Sequence, residues 1–168
     1  MTYALGATSR KELAGVHPAI EMLVHEAIAI TAQDFSVHDG LRTDVEQVDY
    51  VARGVSKTLN SKHKRQADGF GHAVDLVPFI NGKLRWEWKP IFVIAAAVRQ
   101  ALDIVNAKRA EVGKAPIKLI WGGVWDRDFA SFPADPKVME MAVNAYVSRR
   151  RKLGKTAFID GPDFELAS

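Results

Sequence analysis

Cysteine is absent from all 168 residues, which excludes disulfides, thiolate metal sites and a cysteine nucleophile. Histidine, aspartate and glutamate remain as the side chains able to hold a metal. A strong charge imbalance is also lacking, since 23 Lys and Arg against 20 Asp and Glu leave a formal charge of +3. That mild excess suits an anionic partner, whether cell wall, outer-membrane surface or nucleic acid, without choosing among them. The first fifteen residues lack the apolar run of a secretory signal, and no stretch approaches the roughly 18 apolar residues expected of a membrane span. The expectation is a chain made in the cytoplasm, without a span. Repeats and linkers are missing too, and 48% apolar residues suffice for one buried core in one domain, 1–168.

Several elements can be read from apolar spacing. Ile20, Leu23, Val24, Ala27 and Ile28 share one face at helical period, predicting a helix over 18–32 with Pro18 in its first turn. A short strand is predicted over 35–38. Thr43 or Asp44 caps a second helix to about Arg53, and Gly54 ends it. Residues 56–71 are rich in Lys, Ser, Asn and Gly without apolar period, which predicts an exposed, function-bearing loop that closes into a strand over 72–77. Asn81-Gly82 marks a turn. The longest amphipathic helix follows from about Pro90 through Val105, then a strand over 117–121, a helix over 137–153 and a last strand within 157–166. Helices interleaved with short strands give an α+β fold: a small antiparallel sheet flanked by helices.

Of the five histidines, His17 and His25 fall at the start and in the interior of the first predicted helix and read as structural or surface residues. His38 ends a strand and can face a cleft. His63 in the loop and Asp75 in the next strand form a pair able to hold zinc. Strand alternation puts Asp75 on the face of Ala73 and turns His72 the other way, which disfavours His72 as its co-ligand. Asp160-Gly161-Pro162-Asp163-Phe164-Glu165 adds two carboxylates beside a rigid Gly-Pro pair, read either as an acidic turn or as a further ligand with a nearby general base.

The segments Val16-His17-Pro18, Gly40-Leu41-Arg42-Thr43, Asn60-Ser61-Lys62-His63, Gly71-His72-Ala73-Val74-Asp75-Leu76, Trp121-Gly122-Gly123 and Asp160-Gly161-Pro162 follow one another in an order and spacing that resembles a zinc peptidase family. It comprises VanY-type D-alanyl-D-alanine carboxypeptidases and phage L-alanyl-D-glutamate endopeptidases. The resemblance implies a zinc-dependent endolysin acting on bacterial peptidoglycan, monomeric, made in the host cytoplasm and reaching the cell wall after release. It implies His63 and Asp75 as zinc ligands, Asp160 as the base, Arg42 as a cation for a substrate carboxylate or oxyanion, and Ser61 as a hydrogen-bond donor orienting the site.

This chain departs from the family pattern in a longer loop between His63 and Gly71 and a helical insertion at about 126–156. It also carries Asp163 where the pattern has histidine, the third ligand. Two carboxylates cancel the charge of a divalent ion, so bound water acidifies less and hydrolysis slows. Three functions follow: L-alanyl-D-glutamate hydrolysis, D-alanyl-D-alanine carboxypeptidation, and a catalytically silent peptidoglycan-binding module. The basic run from Arg149 to Lys155 lacks a nucleic-acid recognition motif, so no nucleic-acid partner is expected, and it suits contact with an anionic outer-membrane surface. Trp86, Trp88, Trp121 and Trp125 divide between groove and core.

Overall fold

A computed structural model describes residues 2–54, 56 and 58–168; Lys57, inside the predicted loop, lies outside the described residues. In chain order the elements are α1 (Ala7–Glu12), α2 (Pro18–Ile30), β1 (Phe35–Asp39), α3 (Asp44–Ala52), β2 (Ala73–Ile80), β3 (Lys83–Leu84), α4 (Trp88–Glu111), β4 (Leu119–Trp121), α5 (Pro136–Lys152) and β5 (Asp163–Leu166). The fold is α+β, with an antiparallel sheet ordered β1-β2-β5-β4 and β3 paired to the far end of β2.

The core lies between the sheet and the α2–α4 helix pair. Ile20, Leu23, Val24 and Ala27 of α2 are buried together with Ile94, Val98, Leu102 and Val105 of α4, the faces that their spacing predicts. Capping follows the sequence: His17 Nδ1 accepts from Ala19 N at the start of α2, and Thr43 Oγ1 accepts from Glu46 N at the start of α3. These bonds satisfy amides that a helix start leaves without partners. Helix α4 corrects one expectation, because it is long and apolar enough to cross a membrane by length and composition. Its most apolar window is half buried within the fold, so the same apolar residues serve as the centre of a core.

Two elements escape the sequence reading. Helix α1 has six residues, too short for a visible period, and it is fixed by a long-range bond in which Ser9 Oγ accepts from Val37 N at 2.9 Å. Strand β3 has two residues and follows Gly82, whose φ of +76° suits the tight turn.

Candidate metal centre and cleft

The sheet register builds the site. Asp39 of β1 pairs with Asp75 of β2, and Asp75 pairs with Asp163 of β5, so three carboxylates stand in one row across three adjacent strands. Like charges directly opposite each other destabilise a sheet, and a row of three requires a proton, a cation or a buried positive side chain to offset it. His63 supplies one such group.

The predicted loop is less exposed than its composition suggests, since Ser61 and His63 are buried. Backbone bonds pull it inward: Arg42 N donates to His63 O at 2.7 Å, and His72 N donates to Lys62 O at 2.7 Å. Ser61 Oγ accepts from His63 N at 3.1 Å, so Ser61 shapes the turn and keeps its own O–H free to donate. Gly40 explains part of its motif. A Cβ there would stand 1.9 Å from Glu12 O, and its own carbonyl lies 2.9 Å from His63 Nδ1. A carbonyl only accepts, so Nδ1 carries the proton and Nε2 is the atom left to face the carboxylates.

His63 Nε2 lies 3.0 Å from Asp163 Oδ1 and 3.3 Å from Asp75 Oδ1. Two ligands at about 2.0–2.1 Å from a tetrahedral ion are themselves roughly 3.3 Å apart, so these spacings fit one divalent cation held by His63, Asp75 and Asp163. Asp75 Oδ1 and Asp163 Oδ2 are buried without a hydrogen-bond partner among the described residues, and buried carboxylate oxygens of this kind suit a cation. Oxygens of Asp75, Asp160 and Asp163 approach within 4.8 Å of one another, and Asp39, His63 and Asp75 form a second group of the same tightness.

The titration behaviour follows from this crowding. Burial alone lowers the His63 pKa, but the charge of Asp75 and the hydrogen bond to Asp163 outweigh it and raise it well above the ordinary value. Burial pushes Asp163 well up, only partly offset by His63. Burial also opposes ionisation of Asp75, yet His63 prevails and holds that pKa below the usual carboxylate value. Asp160 is raised to about 7 by burial and then by the charge of Asp75. A carboxyl group there exchanges a proton near neutral pH, as a general acid or base must.

Arg42 is buried and donates through Nε to Asp39 Oδ2 at 3.0 Å and through Nη1 to Gln47 Oε1 at 2.6 Å, with a further contact from Nη2 to Asp39. Its guanidinium also lies 4.2 Å from the Tyr50 ring centre. Three of its five N–H groups are thus engaged, and its edge still lines the cleft. Asp39, the anchor of Arg42 and a neighbour of His63, is the site residue that sequence reasoning missed. Nothing in its local sequence marks it; only the strand pairing across to Asp75 does.

The terminal motif is set by Trp121-Gly122. Asp160 N donates to Gly122 O at 2.8 Å, Gly122 N to Asp163 O at 2.9 Å, and Trp121 Nε1 to Gly161 O at 2.7 Å. A Cβ on Gly122 would come within 2.1 Å of Asp160 O, so this glycine permits the close approach that carries Asp160 to the cleft. Trp121 is fully buried, whereas Trp86 and Trp125 line the cleft. His72 points away from the row, 2.7 Å from Asp68 and edge-on to His17, as strand alternation requires. The cleft measures about 760 Å³ and includes His38, Arg53, Lys62 and Phe158 on its walls.

Known proteins resemble this chain over most of its length. An L-alanyl-D-glutamate peptidase of Escherichia phage T5 is 29% identical over 126 residues, covering 75% of this chain and 84% of that protein. The crystal structure of the Serratia marcescens L-Ala D-Glu endopeptidase ChiX matches with a TM-score of 0.65 and 29% identity over 98% of this chain and 90% of that one. Residues 1–139 match the family described as phage L-alanyl-D-glutamate peptidase, a match that ends before Asp160 and Asp163. With most of its length matched in this way, the chain belongs to the phage L-alanyl-D-glutamate peptidase family.

Proposed function

We propose that this chain is a peptidoglycan-degrading endolysin that hydrolyses the L-alanyl-D-glutamate bond of cell-wall peptide stems, using zinc held by His63, Asp75 and Asp163. The observation that carries the reading is the convergence of Asp75 Oδ1 and Asp163 Oδ1 on His63 Nε2 in an open cleft, with Asp75 Oδ1 and Asp163 Oδ2 buried and unpartnered among the described residues. When bound, zinc supplies Lewis acidity to the scissile carbonyl and to the attacking water. Asp160 takes the proton that the water loses and returns it to the departing amide nitrogen, which leaves as the D-glutamate amine. Arg42, clamped by Asp39 and Gln47, turns its remaining N–H groups to a substrate carboxylate or to the carbonyl oxygen as charge builds on it. Ser61 holds the turn that presents His63.

Residues 1–168 act as one peptidase domain with a helical insertion at about 126–156. The protein works as a monomer, made in the host cytoplasm and meeting the wall after release, and its basic α5 end suits an anionic outer-membrane surface. Digestion of purified peptidoglycan, with the new amino terminus identified by mass spectrometry, tests the bond: a free D-glutamate amine is expected, and release of terminal D-alanine alone would refute it. Metal analysis of protein purified without added zinc tests the centre. Asp163 favours one second reading, a peptidoglycan-binding module with little turnover, because two carboxylates and one imidazole leave a divalent ion formally neutral. Binding to wall without any new amine would identify that module.

A further inference from the structure

Strand β1 is irregular at one point: Val37 pairs with Leu76 and Asp39 with Asp75, leaving His38 as the extra residue of a bulge. Bulges re-aim side chains beside functional sites, and here His38 joins Asp39 among the cleft-lining residues. Its ring meets Trp86 edge-on, with centroids 5.2 Å apart and planes at 87°. Trp86 itself is 54% exposed. Trp121 is fully buried, and Trp125 is tied through Nε1 to Phe158 O. The salt-bridged pair Arg85 and Glu87 flanks Trp86 in sequence.

We infer that Trp86 is a stacking platform for the amino-sugar ring that bears the peptide stem, making it a specificity-determining residue of the cleft; this rests on the L-alanyl-D-glutamate reading above. The first alanine of a stem is amide-linked to the lactyl group of the muramic acid ring. Two short units therefore separate the scissile carbonyl from the sugar, roughly 7 Å at about 3.3–3.6 Å per unit. Arg85 N donates to Pro78 O at 2.8 Å, which fixes the chain beside Trp86 three residues along β2 from Asp75, about 10 Å at roughly 3.3 Å per residue. The chain that carries Trp86 is thus anchored within about one residue length of that linker's reach, and the indole lines the same cleft as His63, Asp75 and Asp160. An alanine methyl group is too small to cover an indole, whereas a pyranose presents an apolar C–H face of matching size with polar groups at its rim.

The test compares two substrates that differ only in the sugar: N-acetylmuramoyl-L-alanyl-D-glutamate and the acetyl-capped dipeptide. For Trp86→Ala, the ratio of kcat/KM on the sugar-bearing substrate to that on the dipeptide should fall about two- to tenfold, the range expected for one aromatic contact, and Trp86→Phe should restore part of it. An unchanged ratio overturns the proposal. Cleavage of neither substrate by the unaltered protein would sink the bond assignment instead. In that case calorimetric binding of N-acetylmuramoyl-L-alanine still decides: weaker binding by Trp86→Ala sustains the platform, and equal or absent binding by both proteins refutes it.

Discussion

Replacing Arg42 by alanine should cost this protein far more stability than a surface arginine would. Arg42 and Asp39 are 6% and 4% exposed, and the guanidinium is the cation in direct contact with the Asp39 carboxylate. Its removal leaves a buried charge unpaired beside Asp75 and strands the side-chain oxygen of Gln47, itself only 1% exposed. Breaking one side of a buried ion pair costs about 3–5 kcal/mol, against a total stability of roughly 5–15 kcal/mol for a typical domain. At about 2–4 °C per kcal/mol for a chain of this size, the midpoint should drop by roughly 6–20 °C. Arg42→Lys keeps the charge but loses the fork that serves Asp39 and Gln47 together, so an intermediate loss is expected.

The pH dependence has a definite sign. Burial already raises the Asp39 pKa, and Arg42 is among the groups that hold it down. Without Arg42 the folded-state pKa rises further, and a raised carboxyl pKa gives stability present at low pH and lost as pH climbs through it. The deficit of Arg42→Ala relative to the unaltered protein should therefore be larger at pH 8 than at pH 5. Urea unfolding of both proteins at the two pH values, in the presence of a chelator, measures this. The double substitution Arg42→Met with Asp39→Asn should recover much of the loss, since neither residue is then a buried unpaired charge. A single-variant cost below about 1 kcal/mol, the value of a solvated ion pair, would show that Arg42 is not a structural clamp.

Asp163→His should raise zinc affinity and lytic activity together, read by calorimetric zinc titration and by turbidity loss of permeabilised cells; no gain in either would tell against Asp163 as a ligand. The same substitution shortens the carboxylate row, so its metal-free form should be more resistant to urea at pH 8. Gly122→Ala forces a methyl group against Asp160 O and should destabilise by about 1–3 kcal/mol while displacing the 160–163 turn, visible as amide chemical-shift changes at Asp160 and Gly161. Asp160, raised to about 7, contributes stability below pH 4 that is lost as pH rises through 7. The chelated protein should therefore lose melting temperature from pH 5 to 8 relative to Asp160→Asn, and a parallel course for the two proteins would contradict that pKa.

Helices α2, α4 and α5 are legible in the sequence because each keeps an apolar face over at least three turns, and strand alternation alone turns His72 away from Asp75. The motif resemblance names His63, Asp75, Asp160 and Asp163, which the structure brings into one cleft. What local reading misses is long-range. Asp39 belongs to the site because a bulge and a pairing 36 positions away put it opposite Asp75. His63 sits in a polar segment and yet is buried, because Gly40 and Asp163, far apart in sequence, close over its two ring nitrogens. Composition describes a segment's own preference and contains nothing about what will be folded onto it.

The same long-range pairing ties stability to chemistry at this site. Arg42 offsets the row of Asp39, Asp75 and Asp163 at one end, and at the other the raised pKa values of His63 and Asp163 favour bound protons in the metal-free protein. Metal binding must displace those protons, and affinity should therefore increase with pH. Histidine at 163 would remove one negative charge from the row and one proton from the competition. Asp163 thus changes two quantities at once: it adds a proton that an incoming ion must displace, and it weakens the acidity that the bound ion can lend to water. A protein with aspartate at this position can retain the fold, the cleft and a bound cation while hydrolysing slowly. Metal content and lytic rate are consequently separate measurements, and only the second decides whether the chain cuts the wall that it is shaped to hold.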